Sequence, residues 1–117
     1  MNLQAPTTLS KSIMWDIKAN SQTNDVIAGQ KLQILEVCFD VEEHRQTPIK
    51  SLAFIASDGV YSDKFVLVND AKKRIDSLTP KANDIISCNI LLHKNNIFCC
   101  LDFEILRSDL TSIIGDP

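Results

Sequence analysis

Four cysteines and two histidines have the most distinctive chemistry in this chain, either as zinc ligands or as a nucleophile with its base. They are Cys38, Cys88, Cys99, Cys100, His44 and His93. A structural zinc site needs four ligands in clustered pairs, and these cysteines form no C-x-x-C pair. A catalytic thiol needs a histidine beside it, whereas the cysteines lie in apolar segments. The sequence therefore predicts small, buried, reduced thiols, with no metal and no cofactor.

Two acidic pairs have the spacing for carboxylates that work as acid and base. They are Glu42 with Glu43, in a charged loop, and Asp102 with Glu104, on one face of an amphipathic strand. Acid–base work at neutral pH needs a buried environment that shifts a pKa, and neither setting supplies one. A Gly-rich phosphate loop is absent from a chain with three glycines. We therefore predict no catalytic residue and do not expect an enzyme.

Acidic residues outnumber basic ones, which is unusual for a domain that binds nucleic-acid phosphates. The formal net charge is −3 at pH 7, whereas autonomous nucleic-acid binders are usually basic. The triplet Lys72-Lys73-Arg74 is typical of a solvated helix face. The chain has 117 residues, 44% of them hydrophobic, which suits one domain with its own core. Its apolar runs fall short of the roughly 20 residues of a membrane span, so we expect no membrane partner.

Alternating apolar and polar residues predict five strands, over residues 31–39, 51–56, 60–68, 85–92 and 97–106. The alternation slips by one between Ile34 and Leu35, which is typical of a β-bulge in a bent strand shared by two sheets. Ser57-Asp58-Gly59 is a turn that joins strands two and three as a hairpin.

The phase of each strand predicts which side chains fill the interior. In strand four these are Ile86, Cys88, Ile90 and Leu92, and in strand five Ile97, Cys99, Leu101, Phe103 and Ile105. Cys99 and Cys100 should then point to opposite faces, and Phe98 should point outward. Phe54, Phe65 and Phe103 fall on apolar faces and are predicted to be core residues.

Three short helices complete the pattern. Ser10 is expected to cap a helix that contains Ile13, Met14 and Ile17, with Trp15 covering a barrel edge. A second helix is predicted over 70–78, capped by Asn69 or Asp70, and a short closing helix contains Leu110, Ile113 and Ile114. Helix, three strands, helix, two strands, helix is the order of an OB fold, an all-β five-stranded barrel. We assign residues 9–114 to this domain, 1–8 to a flexible N-terminus and 115–117 to the start of a linker.

Several motifs in this order resemble the N-terminal domain of the replication protein A large subunit. An apolar strand ends in Ser57-Asp58-Gly59 and is followed by Phe65-Val66-Leu67. Residues 101–108 (LDFEILRS) resemble the closing strand of that family, 114–117 (IGDP) the segment after it, and Leu9-Ser10 its start. The resemblance covers residues 9–117.

This resemblance implies a nuclear protein-interaction module. In that family the large subunit is a string of OB domains, of which the central ones bind single-stranded DNA. The N-terminal domain takes acidic amphipathic helices of repair and checkpoint proteins in its cleft. The expected role is recruitment in DNA replication, repair or telomere maintenance. The expected partners are such acidic segments, other subunits of a single-strand-binding complex, and single-stranded DNA through the full-length protein.

The cleft is expected between the loop 40–49, the outer face of strands two and three, and the turn 93–96. Arginines line it in the family, and the corresponding positions here are Cys38, Ser51, Ala53 and Asn95, none of them basic. We predict that Lys50, Lys64 and Lys94 contact an acidic partner. Arg45, Tyr61 and Phe98 are predicted to add contacts at the rim.

Three alternatives stay open at this point. The first is weak binding of single-stranded DNA by the same groove, through exposed aromatics and scattered lysines. The missing arginines favour a specialised paralogue, such as a telomerase-associated one with a vestigial cleft. A purely structural spacer is the third alternative, and it predicts no binding of either kind.

Overall fold

A computed structural model describes residues 9–20, 25–42, 49–75, 77–93 and 96–115, with the backbone alone described for 39–42 and 49–51. The predicted flexible segment 1–8 lies outside the described residues, as do Arg45, Lys94, Asn95 and the last two residues of the predicted linker. Among the residues that the structure describes, no helix is both long enough and apolar enough to cross a membrane.

Five strands close into one barrel, in the order β1-β2-β3-β5-β4. The elements along the chain are α1 (Ile13–Ala19), β1 (Val26–Glu42), β2 (Ile49–Ser57), β3 (Ser62–Leu67), α2 (Asn69–Arg74), β4 (Ile85–Leu92) and β5 (Phe98–Arg107). β3 and β5 pair in parallel, and the other neighbours are antiparallel. The predicted mostly-β architecture with five strands is confirmed.

The long first strand belongs to two parts of the barrel wall. Residues 26–33 of β1 pair with β4, and residues 33–42 pair with β2. The register shifts between Ile34 and Glu36, so Leu35 is the extra residue of a bulge. This confirms the predicted slip, and the bend at the bulge turns one strand around the corner of a small barrel.

A bulge in β5 makes part of the predicted interior wrong. Register passes from Ile90–Cys100 to Asn89–Asp102, so Leu101 has no opposite partner. Because each bulge reverses the alternation, Phe98 and Cys100 point inward, and Ile97 is 43% exposed. The predicted inward positions of Ile97, Cys99 and Leu101 are therefore wrong, as is the outward position of Phe98. The prediction that Cys99 and Cys100 face opposite ways is confirmed, with Cys100 inside.

Four phenylalanines form the centre of the core. Phe54 meets Phe103 edge to face at a centroid distance of 5.2 Å, and Phe65 stacks on Phe98 at 5.0 Å. All four are buried, as predicted for three of them. Such ring pairs contribute about 1 kcal/mol each beyond the apolar area they bury.

The predicted first helix is present as α1, whereas its predicted cap and the predicted closing helix are not found among the described residues. The Ser10 hydroxyl accepts a hydrogen bond from the Lys31 N–H of β1 (2.9 Å) instead of capping α1. Residues 108–115 contain no helix among the described positions. Instead the buried Gln33 amide donates to Ser112 O (2.9 Å) and accepts from Ile114 N–H (2.7 Å). A segment this short gains more from these bonds than from a single helical turn, whose nucleation is unfavourable.

α2 is also shorter than predicted, since it ends at Arg74 rather than at residue 78. Val68 precedes the helix, and no side chain caps its first turn in the described structure. Ala71 and Ile75 are buried as predicted, whereas Leu78 lies beyond the helix and is exposed.

A buried carboxylate ties the β2–β3 turn to α1. Asp58 is fully buried, and its Oδ1 accepts hydrogen bonds from Val60 N–H (2.9 Å) and Tyr61 N–H (2.8 Å). Its Oδ2 accepts a third bond from Met14 N–H (3.1 Å), at the start of α1. The motif Ser57-Asp58-Gly59 therefore fixes both the hairpin and the helix that closes one barrel end.

Replacing this carboxylate should destabilise the whole domain. Asp58→Ala leaves three backbone N–H groups without their acceptor, and we expect the free energy of unfolding to fall by about 3 kcal/mol. Urea denaturation followed by circular dichroism measures the loss. Asp25→Ala, at an exposed loop position, is the control, with an expected change below about 0.5 kcal/mol. Equal stability of the two variants would contradict this role of Asp58.

Candidate functional site

A row of small apolar side chains crosses the outer face of four strands. Cys38 of β1 lies opposite Ala53 of β2, which lies opposite Val66 of β3, which lies opposite Cys99 of β5. We call these four residues the groove floor. Ala53 is fully buried although it points outward, whereas Cys38, Val66 and Cys99 are partly exposed. The floor is thus a narrow apolar strip without a charge.

A gap in the barrel wall adjoins the groove floor. The parallel pairing of β3 with β5 begins only at Phe65–Phe98, so the first three residues of β3 extend past the start of β5. The turn before β5 folds back here, and His93 N–H donates to Ile97 O (2.8 Å). The result is a cavity of about 240 Å³, the β3–β5 cavity. It is lined by Asp63, Lys64, Val66, Asn96, Ile97 and Phe98.

A second cavity lies on the other side of Asp63, between α1 and the start of β3. This α1–β3 cavity has a volume of about 230 Å³ and is lined by Met14, Trp15, Lys18, Tyr61, Ser62 and Asp63. Lys18 Nζ lies 3.0 Å from Asp63 Oδ2 and 5.1 Å from the centroid of the Phe98 ring. The Lys18–Asp63 ion pair therefore separates two cavities that share a residue.

The structure places the predicted site residues in three different situations. Lys64 is half-buried and lines the β3–β5 cavity, whereas Tyr61 is 42% exposed and lines the α1–β3 cavity. Lys50 lies in β2, where its backbone pairs with Val41, and its side chain is outside the described part. Arg45 and Lys94 lie outside the described residues altogether.

Phe98 requires a correction as a candidate rim contact. It is 1% exposed, and its ring stacks on Phe65. The bulge at Leu101 turns this residue inward. Phe98 therefore contributes the inner wall of the β3–β5 cavity and offers no side chain to a partner at the surface.

Two of the positions that carry arginines in the resembling family lie side by side on the groove floor. Cys38 and Ala53 are register partners on β1 and β2, and both point outward. Ser51 pairs with Asp40 further along the same strands, and Asn95 lies outside the described residues. Cys38 and Ala53 thus lie together on one surface, which here is apolar.

Sequence reasoning missed the contribution of α1 to this surface. Met14 and Ile17 are buried, which leaves Trp15 58% exposed and Lys18 at the surface beside it. The signal was present in the spacing, since a tryptophan and a lysine three positions apart share one helix face. Ile97 was missed for another reason, because the bulge in β5 hides its outward direction.

A third cavity is polar, and an ion pair forms part of its lining. It has a volume of about 270 Å³, between α2, β4 and β5, and is lined by Arg74, Ser87, Asn89, Asp102, Phe103 and Glu104. Arg74 Nε donates to Asp102 Oδ1 (2.8 Å) and Nη2 to Oδ2 (3.3 Å). The hydrogen bond from Arg74 lowers the pKa of Asp102, which keeps this carboxylate ionised and unsuited to proton transfer. Arg74 of the basic triplet is thus engaged within the domain.

We expect the low pKa of Asp102 to depend on Arg74. Arg74→Gln should raise the pKa of Asp102, and an NMR titration of the side-chain carboxyl carbons measures it. Because the folded pKa is lowered, any stability that the pair supplies is present above the unfolded pKa and is lost as pH falls through the folded value. Arg107→Gln, which removes a cation bound to Asp109, is the control and should leave Asp102 unchanged. An identical Asp102 titration in both variants would refute this assignment.

Comparison of the chain with protein-family models finds no match, and comparison with curated protein sequences finds none either. Across the described residues, no group of three or more His, Cys, Asp and Glu side chains is arranged to hold a metal ion. The features that remain for a functional argument are the groove floor and the two cavities that meet at Asp63.

Proposed function

We propose that this chain is an OB-fold domain that recruits other proteins to a single-stranded-DNA-binding complex, as the N-terminal module of its large subunit. The barrel order β1-β2-β3-β5-β4, with α2 between β3 and β4, supports the OB assignment. The proposed setting is DNA replication, repair or telomere maintenance in the nucleus. The observation that carries the binding role is the groove floor beside the β3–β5 cavity.

An apolar strip on an otherwise charged domain suits the apolar face of an amphipathic helix. A helix that lies in a groove binds through side chains at i, i+3, i+4 and i+7, which need apolar contact along one line. Cys38, Val66 and Cys99 are partly exposed and supply such a line across the sheet, with the buried Ala53 between Cys38 and Val66 in the row. The row of small side chains lets a helix approach the sheet closely.

The charge beside the strip favours an acidic segment. Lys64 lines the β3–β5 cavity next to Val66, and in the sequence Lys50 lies near the start of β2 and Lys94 lies between β4 and β5. These lysines replace the arginines expected from the resemblance, at different positions. Charges at the edge of a groove mainly set orientation and association rate, while the apolar strip supplies affinity.

The groove floor favours a protein partner over single-stranded DNA. A platform for bases needs exposed aromatic rings in a basic groove. The rings of Phe54, Phe65, Phe98 and Phe103 are all buried. Trp15 and Tyr61 are exposed, but Trp15 lies on α1 and Tyr61 directly precedes β3, so neither lies on the groove floor. Their positions favour a protein partner over DNA.

A charge placed on the groove floor or in the adjoining β3–β5 cavity should weaken peptide binding. The probe is the tightest member of a synthetic library of acidic helical peptides of about 20 residues, long enough to span the domain. Val66→Glu and Ile97→Glu should each weaken its binding at least about tenfold, since a carboxylate would be desolvated against an apolar face. Val26→Glu makes the same change at an exposed position of β1 and is the matched control. Fluorescence anisotropy of the labelled peptide measures all three.

The same proteins titrated with a labelled oligothymidine distinguish the alternatives. DNA binding that is tight, falls steeply between about 50 and about 200 mM salt, and is lost in Lys64→Ala would support the DNA reading instead. Absence of binding by both peptide and DNA would overturn recruitment by this domain and leave a structural spacer.

A further inference from the structure

The exposed aromatic rings of the domain meet at one cavity. Among the described side chains these rings belong to Trp15 and Tyr61, which are the only tryptophan and the only tyrosine of the chain. Trp15 lies on α1 and Tyr61 belongs to the β2–β3 turn, yet both line the α1–β3 cavity. Large rings left in contact with water on two separate elements, around one cavity of about 230 Å³, indicate a binding site.

We propose that the α1–β3 cavity binds a proline-rich segment of another protein in the polyproline II conformation, with one proline ring packed between Trp15 and Tyr61. Grooves lined by aromatic side chains bind such segments, because the helix is preformed and loses little entropy on binding. The site is separate from the groove floor and takes a different kind of partner. The inference therefore goes beyond the acidic helix of the proposed function.

Charge at this cavity does not select an ionic ligand. The described residues that line it include one cation, Lys18, and one anion, Asp63, whose side chains bind each other at 3.0 Å. The Lys18 ammonium also lies 5.1 Å from the centroid of the Phe98 ring. Both oxygens of Asp63 are engaged, since Oδ2 accepts from Lys18 Nζ and Oδ1 from Lys64 N–H (2.7 Å). The lining is thus neutral, which suits an uncharged segment.

The polar groups that remain at the cavity can donate hydrogen bonds. Within the described part of the chain, the indole N–H of Trp15 and the hydroxyls of Tyr61 and Ser62 bond to no protein group. A proline residue has no N–H and contributes only a carbonyl acceptor. In a polyproline II helix these carbonyls have no partner within the helix. The acceptors of such a segment therefore match the donors of the cavity.

The backbone positions of the two rings are fixed by one buried carboxylate. Asp58 Oδ1 accepts from Tyr61 N–H (2.8 Å), and its Oδ2 accepts from the N–H of Met14, the residue before Trp15 (3.1 Å). Asp58 N–H in turn donates to Tyr61 O (3.0 Å). A cavity whose walls are held in place before binding requires little ordering when the ligand enters. The turn and the helix therefore hold the site ready for a partner.

Other occupants match this cavity less well. An α-helix bonds most of its own carbonyls, so its backbone would leave the donors of the cavity unmatched. A nucleotide would bring its phosphate close to Asp63, while the one cation in the described lining is already bound to that carboxylate. A polyproline segment has apolar rings, unpaired carbonyls and no charge, and the cavity offers a counterpart to each.

The fluorescence of Trp15 reports directly on this site. The probe is a synthetic peptide of about ten prolines, or about three turns of polyproline II helix. It contains no tryptophan, so the emission comes from Trp15 alone. We expect the emission maximum to shift to shorter wavelength as the indole is covered. A peptide of the same length with alternating glycine and serine is flexible and is the matched control, which should cause no shift.

Substitutions of the two rings locate the bound peptide. Trp15→Ala and Tyr61→Ala should each weaken oligoproline binding at least about tenfold, as fluorescence anisotropy of a labelled copy measures it. Tyr61→Phe keeps the ring and removes the hydroxyl donor, and it should weaken binding about fivefold. Leu78→Ala changes an exposed apolar residue that does not line the cavity and should bind like the original protein. Circular dichroism verifies that each variant is folded.

The outcomes test this inference separately from the proposed function. Equal binding of the glycine–serine peptide, or full binding by Tyr61→Ala, would overturn the site. An emission shift with the acidic helical peptide or with oligothymidine, and none with oligoproline, would assign the cavity to a helix or to a base and overturn it as well. Recruitment through the groove floor is measured with the acidic peptide and Val66→Glu, so either proposal can fail while the other stands.

Discussion

Parallel pairing between β3 and β5 extends over three residue pairs, and closure of the barrel depends on it. The first pair, Phe65 with Phe98, is also the stacked ring pair of the core. Residues 62–64 of β3 precede that pair and have no partner in β5. The barrel wall therefore opens at the start of β3. The stacked rings therefore seal the interior at the point where the wall opens, and this opening is the origin of both cavities.

Polar groups at the edge of this opening form hydrogen bonds with one another. Asp63 stands at the uncovered end of β3, where it accepts hydrogen bonds from its neighbour Lys64 N–H (2.7 Å) and from Lys18 Nζ (3.0 Å). Lys18 is positioned by α1, whose own start is held by the buried carboxylate of Asp58. The β2–β3 turn thus determines the geometry of the opening through the helix as well as through the hairpin.

Strand phase explains which parts of this site were predictable from the sequence. The bulge at Leu35 was detectable because apolar and polar residues alternate on both sides of it. The bulge at Leu101 was not, because residues 97–101 are five consecutive apolar residues, and an apolar run carries no phase. The directions predicted for Ile97 and Phe98 were accordingly wrong. Trp15 and Lys18 reach the site through the packing of α1, a tertiary relation that local spacing does not specify.

The chemistry of the two outward thiols keeps the groove floor apolar. Burial raises the pKa of Cys99, and the neighbouring Cys100 raises it further, so the side chain stays a neutral thiol at physiological pH. Cys38 lies at the other end of the row, with Sγ 3.6 Å from Ala53 O. A neutral thiol packs as a small apolar group. Where the resembling family has arginines that attract acidic helices from a distance, this floor has contact surface instead. In the proposed function, recognition would consequently depend more on the fit of apolar side chains and less on long-range attraction, which salt would screen.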